Sequence, residues 1–308
     1  MTPKISRIGF IRKVGLLALA ATALIAFNGC ASIGQRAALP GSYLQVPQST
    51  VPPSQHYELL RLTTTDGMNV VAQFGAALDP SGNPSSSSGR RPTILFFYGN
   101  RMCIAGSQGI FEDLRRMGVN VMVPEYPGYG MSDGSPTEQG CYAAADAAYA
   151  YLRGRSDVDP ELIVPAGLSI GGGVAVNLAS KMPVAALLLV VPFTRTADVG
   201  KDNLAWYFRW ATPIFTRQVA FDNLTKIRRV TRPILIVEAL ADEMISSQRS
   251  DQLANAAPTK VTRVKVAADH DGAWEASKLQ IEDWLHKTFP LQMASDKSPQ
   301  VIQTAAAL

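Results

Sequence analysis

Short apolar runs recur along the chain, separated by turn-forming clusters and by stretches with helical spacing. Tyr57–Thr63 and Asn69–Phe74 flank Thr64–Met68, whose Asp66-Gly67 marks a turn, and the pair reads as a β-hairpin. Thr93–Tyr98, Val119–Pro124, Leu162–Val164 and Val184–Val191 are strongly apolar, as strands buried on both faces are. Ile234–Glu238 and Thr262–Val266 add two more strands. Between them, Ser107–Met117 is amphipathic. Ser135-Pro136-Thr137-Glu138 has the form of a capping box with proline at the first helical position, opening a helix to about Arg153. Further helices are predicted at Val174–Ala179, near Ser246–Ala256 and at Gly272–Phe289, the last capped by Asp271. The alternation predicts an α/β fold: a mainly parallel sheet with helices on both faces and the antiparallel hairpin extending one edge. Pro192–Arg232 is the one long insertion between strands. It holds Trp206, Tyr207, Phe208, Trp210 and Phe215. That aromatic density predicts a short cap over the carboxyl end of the sheet, where ligands bind in this architecture, and the same rings would pack the insertion onto the body.

The ends break the pattern. Lys4, Arg7, Arg12 and Lys13 precede an apolar run from Val14 to Phe27, and Cys30 follows Asn28-Gly29. The run is shorter than the roughly 20 apolar residues of a membrane span, so residues 1–30 read as an export signal. Phe27-Asn28-Gly29-Cys30, followed by Ala31-Ser32, resembles a bacterial lipobox, although Phe27 and Asn28 depart from the usual Leu-Ala/Ser. The resemblance implies that Cys30 is the lipidated first residue of the mature chain. The protein would then be held in the bacterial cell envelope through an N-terminal lipid, on the periplasmic side and at the outer membrane. Ordinary signal cleavage nearby is the alternative. Residues 31–55 carry Pro40, Pro52 and Pro53 and read as a flexible tether. Residues 56–290 form the folded unit, with the cap insertion at 192–232, and 291–308 read as a disordered tail.

Charge adds little beyond the signal. Four of the 29 basic residues precede Cys30 and no acidic residue does, which leaves 25 basic against 25 acidic residues in the remainder. No basic patch points to nucleic acid as a partner. Cys103 and Cys141 are too few for a disulfide framework and lack metal-ligand spacing, and the serine chemistry described next implies neither a metal nor an organic cofactor. One bridge between them and two free thiols both remain open.

The chemistry centres on Leu162–Gly173. Gly167-Leu168-Ser169-Ile170-Gly171 fits the G-x-S-x-G pattern of a nucleophile elbow, a sharp strand-to-helix turn that exposes the serine hydroxyl. A glycine-rich turn without chemistry, or a phosphate loop, would share part of this pattern. The segment has no Gly-Lys-Ser/Thr ending and does not form G-x-G-x-x-G. A serine hydroxyl needs a base, and the chain offers three histidines. His56 lies before the first strand and His286 in the closing helix. His270 follows the last strand, where it can reach Ser169. Asp242, after strand Ile234–Glu238, would orient His270, giving the order Ser169, Asp242, His270 expected of α/β-hydrolases. Glu238, Glu243 and Asp269 are the competing acids. The oxyanion hole needs two backbone N–H groups, assigned to Ile170 and to Asn100 in the loop after Thr93–Tyr98.

With these stand Phe97-Tyr98-Gly99-Asn100, Glu125 to Ser132, Pro192-Phe193-Thr194, Phe221-Asp222-Asn223 and Ala268-Asp269-His270. On these motifs, from about Tyr57 to Phe289, the chain resembles the serine aminopeptidase-like α/β-hydrolases. That family includes many bacterial esterase-like proteins and eukaryotic protein depalmitoylases. The resemblance implies the α/β-hydrolase fold and a serine hydrolase acting on a small acyl substrate, an ester, thioester or amide. Tyr98 replaces the histidine of the family's usual His-Gly-Asn and is expected to support the oxyanion loop. The alternative from another class is a non-catalytic lipoprotein that uses the fold to bind a ligand or partner.

Overall fold

The computed structural model describes residues 32–41, 56–85 and 91–290. The export signal, Cys30, most of the expected tether and the 291–308 tail lie outside the described residues. Strands β1 (Glu58–Thr63) and β2 (Asn69–Gly75) form the expected antiparallel hairpin. Its turn closes by the Met68 N–H donating to Thr64 Oγ1 at 3.0 Å. β2 then lies antiparallel to β4 (Asn120–Pro124). The remaining strands, β3 (Thr93–Phe97), β5 (Ile163–Leu168), β6 (Leu187–Val190), β7 (Ile234–Ala239) and β8 (Val261–Val266), run parallel, and the order across the sheet is β1-β2-β4-β3-β5-β6-β7-β8. Every residue of β3, β4, β6 and β7 is buried, which requires cover on both faces and explains their unbroken apolar sequence. β8 is half exposed and carries Arg263 and Lys265, charges of the kind that blunt an edge.

The cover comes from α2 (Gln108–Arg116), α3 (Glu138–Gly154), α4 (Ile170–Ala179), α8 (Ser247–Ala256) and α9 (Ala273–Thr288). Two helix caps differ from expectation. The cap of α3 is Thr137, whose Oγ1 accepts the Gly140 N–H at 2.9 Å, so Pro136 lies ahead of the helix and not at its first position. Before α9, Asp269 and not Asp271 holds the entry, its Oδ1 accepting the Gly272 N–H at 2.8 Å. The insertion folds as α5 (Thr196–Asn203), a 3-10 turn at Trp206–Ala211, α6 (Thr212–Thr216) and α7 (Asn223–Lys226).

A second difference concerns the tether. Residues 32–38, here α1, are helical, and Leu39, Pro40 and Gly41 after them are buried. Leu39 plugs into the core, and the Gln35 side chain donates to the Pro136 carbonyl at 2.7 Å. Gly41 turns at φ +49°, where a Cβ would strike the Gly128 carbonyl and Pro136. The chain leaves β3 toward β4 on one side and reaches β5 on the other, so connections diverge beside β3. A crevice opens at such a point, outside the carboxyl ends of β3 and β5.

Candidate active site

Phe97 on β3 pairs with Gly167 on β5, which sets the loop after β3 against the turn after β5. In that turn Ser169 has φ 53° and ψ −118°, a conformation non-glycine residues rarely hold. The Ser169 N–H donates to the Val190 carbonyl at 2.9 Å, which fixes the strained residue to β6. The flanking glycines are required by contact. A Cβ on Gly167 would sit 2.3 Å from the Gly171 carbonyl oxygen, and one on Gly171 would sit 2.0 Å from that of Phe97. Helix α4 therefore begins immediately after the serine, four residues earlier than the apolar pattern predicts, because its first turn is glycine. As its first residue, Ile170 has an N–H with no partner in the preceding turn.

His270 and Asp242 arrive from the loops after β8 and β7. His270 Nε2 is 3.0 Å from Ser169 Oγ, and His270 Nδ1 is 2.7 Å from Asp242 Oδ2. Asp242 Oδ1 accepts the N–H groups of Met244 and Ile245, each at 2.8 Å. Burial pushes the Asp242 carboxyl upward, but the hydrogen bonds from His270, Ile245 and Met244 prevail and hold it below the usual carboxylate range. The rival acids are engaged or remote: Glu238, buried in β7, accepts Arg263 Nε at 2.6 Å, Glu243 is exposed, and Asp269 caps the entry to α9. His56 and His286 are exposed. Ser169, Asp242 and His270 are thus brought together, and Asn100 and Ile170 border the same cavity as Ser169.

The Asn100 loop is held by tyrosines. Tyr98 is buried, and its hydroxyl accepts the Tyr126 N–H at 2.9 Å and lies 3.5 Å from Glu125 Oε1. Tyr126 OH donates to the Tyr98 carbonyl at 3.1 Å, and Tyr129 OH to the Asn100 carbonyl at 3.0 Å. Glu125 accepts the Ile104 N–H at 2.8 Å and the Met131 N–H at 3.2 Å. Burial raises the Glu125 carboxyl against these bonds, and burial followed by Glu125 itself keeps the Tyr98 phenol neutral. Sequence reasoning gave Glu125, Tyr126 and Tyr129 no separate role. Their only signal was that they share one motif, Glu125 to Ser132, in the loop after β4.

The cavity before Ser169 measures about 470 Å³, and no charged residue lines it. Its walls come from α4, from α5 and α6 of the insertion, from Met244 and Ile245, and from α1. Cys103 and Cys141, left open by the sequence, are both buried free thiols, and burial raises both. Among the described residues no group of His, Cys, Asp or Glu could hold a metal ion, and no helix is long and apolar enough to cross a membrane.

A serine on a glycine-flanked turn, hydrogen-bonded to histidine and through it to aspartate at a sheet's switch point, is the arrangement of one fold class. The profile of the alpha/beta hydrolase family matches residues 106–259, half of the chain, and the chain belongs to that family. Uncharacterized proteins from two strains of Mycobacterium tuberculosis are 36% identical over 195 residues, 61% of this chain, which spans 66% of their length. An esterase of Pyrococcus furiosus superposes with a TM-score of 0.64 at 14% identity, over 80% of this chain and 97% of that one. A puromycin-hydrolyzing peptidase of M. tuberculosis gives 0.59 at 16% identity, over 78% of this chain and 41% of its own. At such identities these structures share the fold and nothing finer.

Proposed function

We propose that the chain is a serine hydrolase of carboxylic esters, acting through an acyl-enzyme. The carrying observation is the hydrogen-bonded line Ser169 Oγ, His270 Nε2, His270 Nδ1, Asp242 Oδ2, with steps of 3.0 and 2.7 Å. His270 Nε2 takes the hydroxyl proton as Ser169 Oγ bonds to the ester carbonyl carbon. The carbonyl oxygen becomes an oxyanion facing the N–H groups of Ile170 and Asn100. As the tetrahedral centre collapses, the bond to the leaving alcohol breaks and His270 returns the proton to it. Water, deprotonated by His270, then releases the acid and restores Ser169. Asp242 keeps the Nδ1 proton in place and stabilises the imidazolium formed twice per cycle.

The uncharged cavity supports an ester with an apolar acyl group over a peptide, since no charged side chain there would fix a peptide terminus. The same line of hydrogen bonds supports turnover over a purely ligand-binding lipoprotein. The signal sequence supports lipid attachment at Cys30 and a place in the cell envelope. The test is labelling with a fluorophosphonate: wild type should label at Ser169, with mass spectrometry locating the adduct. An intact, folded protein that neither labels nor turns over any p-nitrophenyl ester would overturn the proposal.

A further inference from the structure

The cavity is not closed by the sheet and its insertion alone. Ile33, Gly34, Ala37 and Ala38 of α1 form one of its walls. The wall is tightly seated: a Cβ on Gly34 would fall 1.8 Å from the Phe215 carbonyl oxygen, so the α1 backbone lies directly on α6. Asn100 Nδ2 lies 3.5 Å from the Ala37 carbonyl oxygen, which joins this wall to the loop beside Ser169. Ser32 is two residues from Cys30, a span of at most about 8 Å of chain. The apolar run ending at Phe27 precedes it. Whatever holds the amino terminus to a membrane therefore holds it at the rim of this cavity.

The rim has the surface such a position calls for. Leu204 and Thr212 line the cavity, and the turn between them, Trp206–Ala211, presents Trp206, Tyr207 and Trp210 to solvent at 78%, 55% and 73% exposure. Ile33 and Met244, which also border the cavity, are 64% and 48% exposed. Large apolar side chains exposed together mark an interaction surface. Residues 32–41 and 203–217 carry three arginines, Arg36, Arg209 and Arg217, and no acidic residue. Tryptophan and tyrosine interleaved with arginine suit the headgroup layer of a bilayer, where rings bury and cations meet phosphate. An aqueous protein partner would leave unexplained why the Gly29-Cys30 signal stands only two residues from Ser32, where this wall begins.

Taking the serine-hydrolase reading as given, we infer that the rim formed by α1 and the 206–211 turn docks on a lipid bilayer. The substrate is a long-chain acyl ester resident in that bilayer, whose chain passes from the lipid into the cavity that α1 and α6 wall. Ala37 and Ala38 then set how much chain the cavity admits, because their small side chains leave the space open.

The test uses the full chain reconstituted in phosphatidylcholine vesicles. Two activities are measured: p-nitrophenyl butyrate in the aqueous phase and a monopalmitoyl glycerol ester in the vesicles. The chain has four tryptophans, of which Trp274 and Trp284 are only 5% and 6% exposed, so brominated phosphatidylcholine should quench emission from Trp206 and Trp210 alone. The Trp206→Ser/Trp210→Ser double variant should lose that quenching. Its palmitoyl turnover should drop by about tenfold or more while its butyrate turnover stays near wild type. Ala38→Trp should lower the ratio of palmitoyl to butyrate turnover by a similar factor of about ten by filling the cavity. Absence of quenching in wild type, or equal loss on both esters in the double variant, would overturn the docking surface. Wild type inert on both esters would overturn the hydrolase reading and the substrate assignment with it, while quenching would still decide the docking.

Discussion

Tyr98 and Tyr126 clasp each other twice: the Tyr126 N–H donates to the Tyr98 hydroxyl at 2.9 Å, and the Tyr126 hydroxyl donates to the Tyr98 carbonyl at 3.1 Å. The rings lie 4.5 Å apart and both are wholly buried. This clasp joins the loop after β3 to the loop after β4, and so fixes where the Asn100 N–H points. Tyr98→Phe removes one of its two bonds and leaves the Tyr126 N–H unsatisfied. Ester turnover should fall by about 10- to 100-fold, as when other supporting contacts of a site are lost, with the fold retained by circular dichroism. A loss as complete as that of Ser169→Ala would mean that Tyr98 takes part directly in the chemistry.

Ser169, His270 and Asp242 should behave as one unit. Ser169→Ala and His270→Ala should each abolish fluorophosphonate labelling and nearly all ester turnover, and the double variant should be little worse than either. Asp242→Asn should lose less than Ser169→Ala. Full activity in His270→Ala would remove the base from the mechanism.

Two buried carboxylates should tilt stability in opposite directions with pH. Asp242 titrates lower in the folded chain than in the unfolded one, so its contribution is present above about pH 3.9 and fades as pH falls through its lowered value. Glu125 titrates higher when folded, so its contribution is whole below about pH 4.3 and is lost as pH rises through its raised value. Urea unfolding at pH 4 and pH 7 should therefore show Asp242→Asn losing ground against wild type as pH rises, and Glu125→Gln gaining it. Parallel profiles for all three proteins would contradict both assignments.

Attachment through Cys30 has its own readout. Cys30→Ser should release the protein from the membrane fraction or leave it unprocessed with the signal attached, since one acyl chain alone gives only marginal anchoring and several are needed on one residue. Wild type found wholly in the soluble fraction would rule out the lipid.

Much of this architecture is written in local pattern. The buried strands announce themselves because parallel strands covered on both faces tolerate few polar residues. Ser169 is legible because the close approach of α4 to β3 leaves room for nothing larger than glycine at Gly171. His270 stands out because the other two histidines lie outside the strand ends. Asp242 is harder: sequence alone does not say that Arg263, on the neighbouring strand, takes Glu238 out of contention. The docking of α1 is not legible at all. It is only seven residues long, too short to carry a periodic signal, and the contact that seats it, Gly34 on Phe215, joins residues far apart in the sequence. The tyrosine clasp is hidden for the same reason, being a matter of long-range hydrogen bonds between loops.

The positive φ of Ser169 also bears on how heat-tolerant the protein can be. A serine there costs about 1–3 kcal/mol that the rest of the fold must offset. Glycine enters this mirror image of the extended region freely. Ser169→Gly should accordingly be inert and yet melt several degrees above wild type. The nucleophile is then a built-in weak point, retained for its reactivity, and any thermally hardened variant of this chain that keeps its activity has to find its extra stability elsewhere.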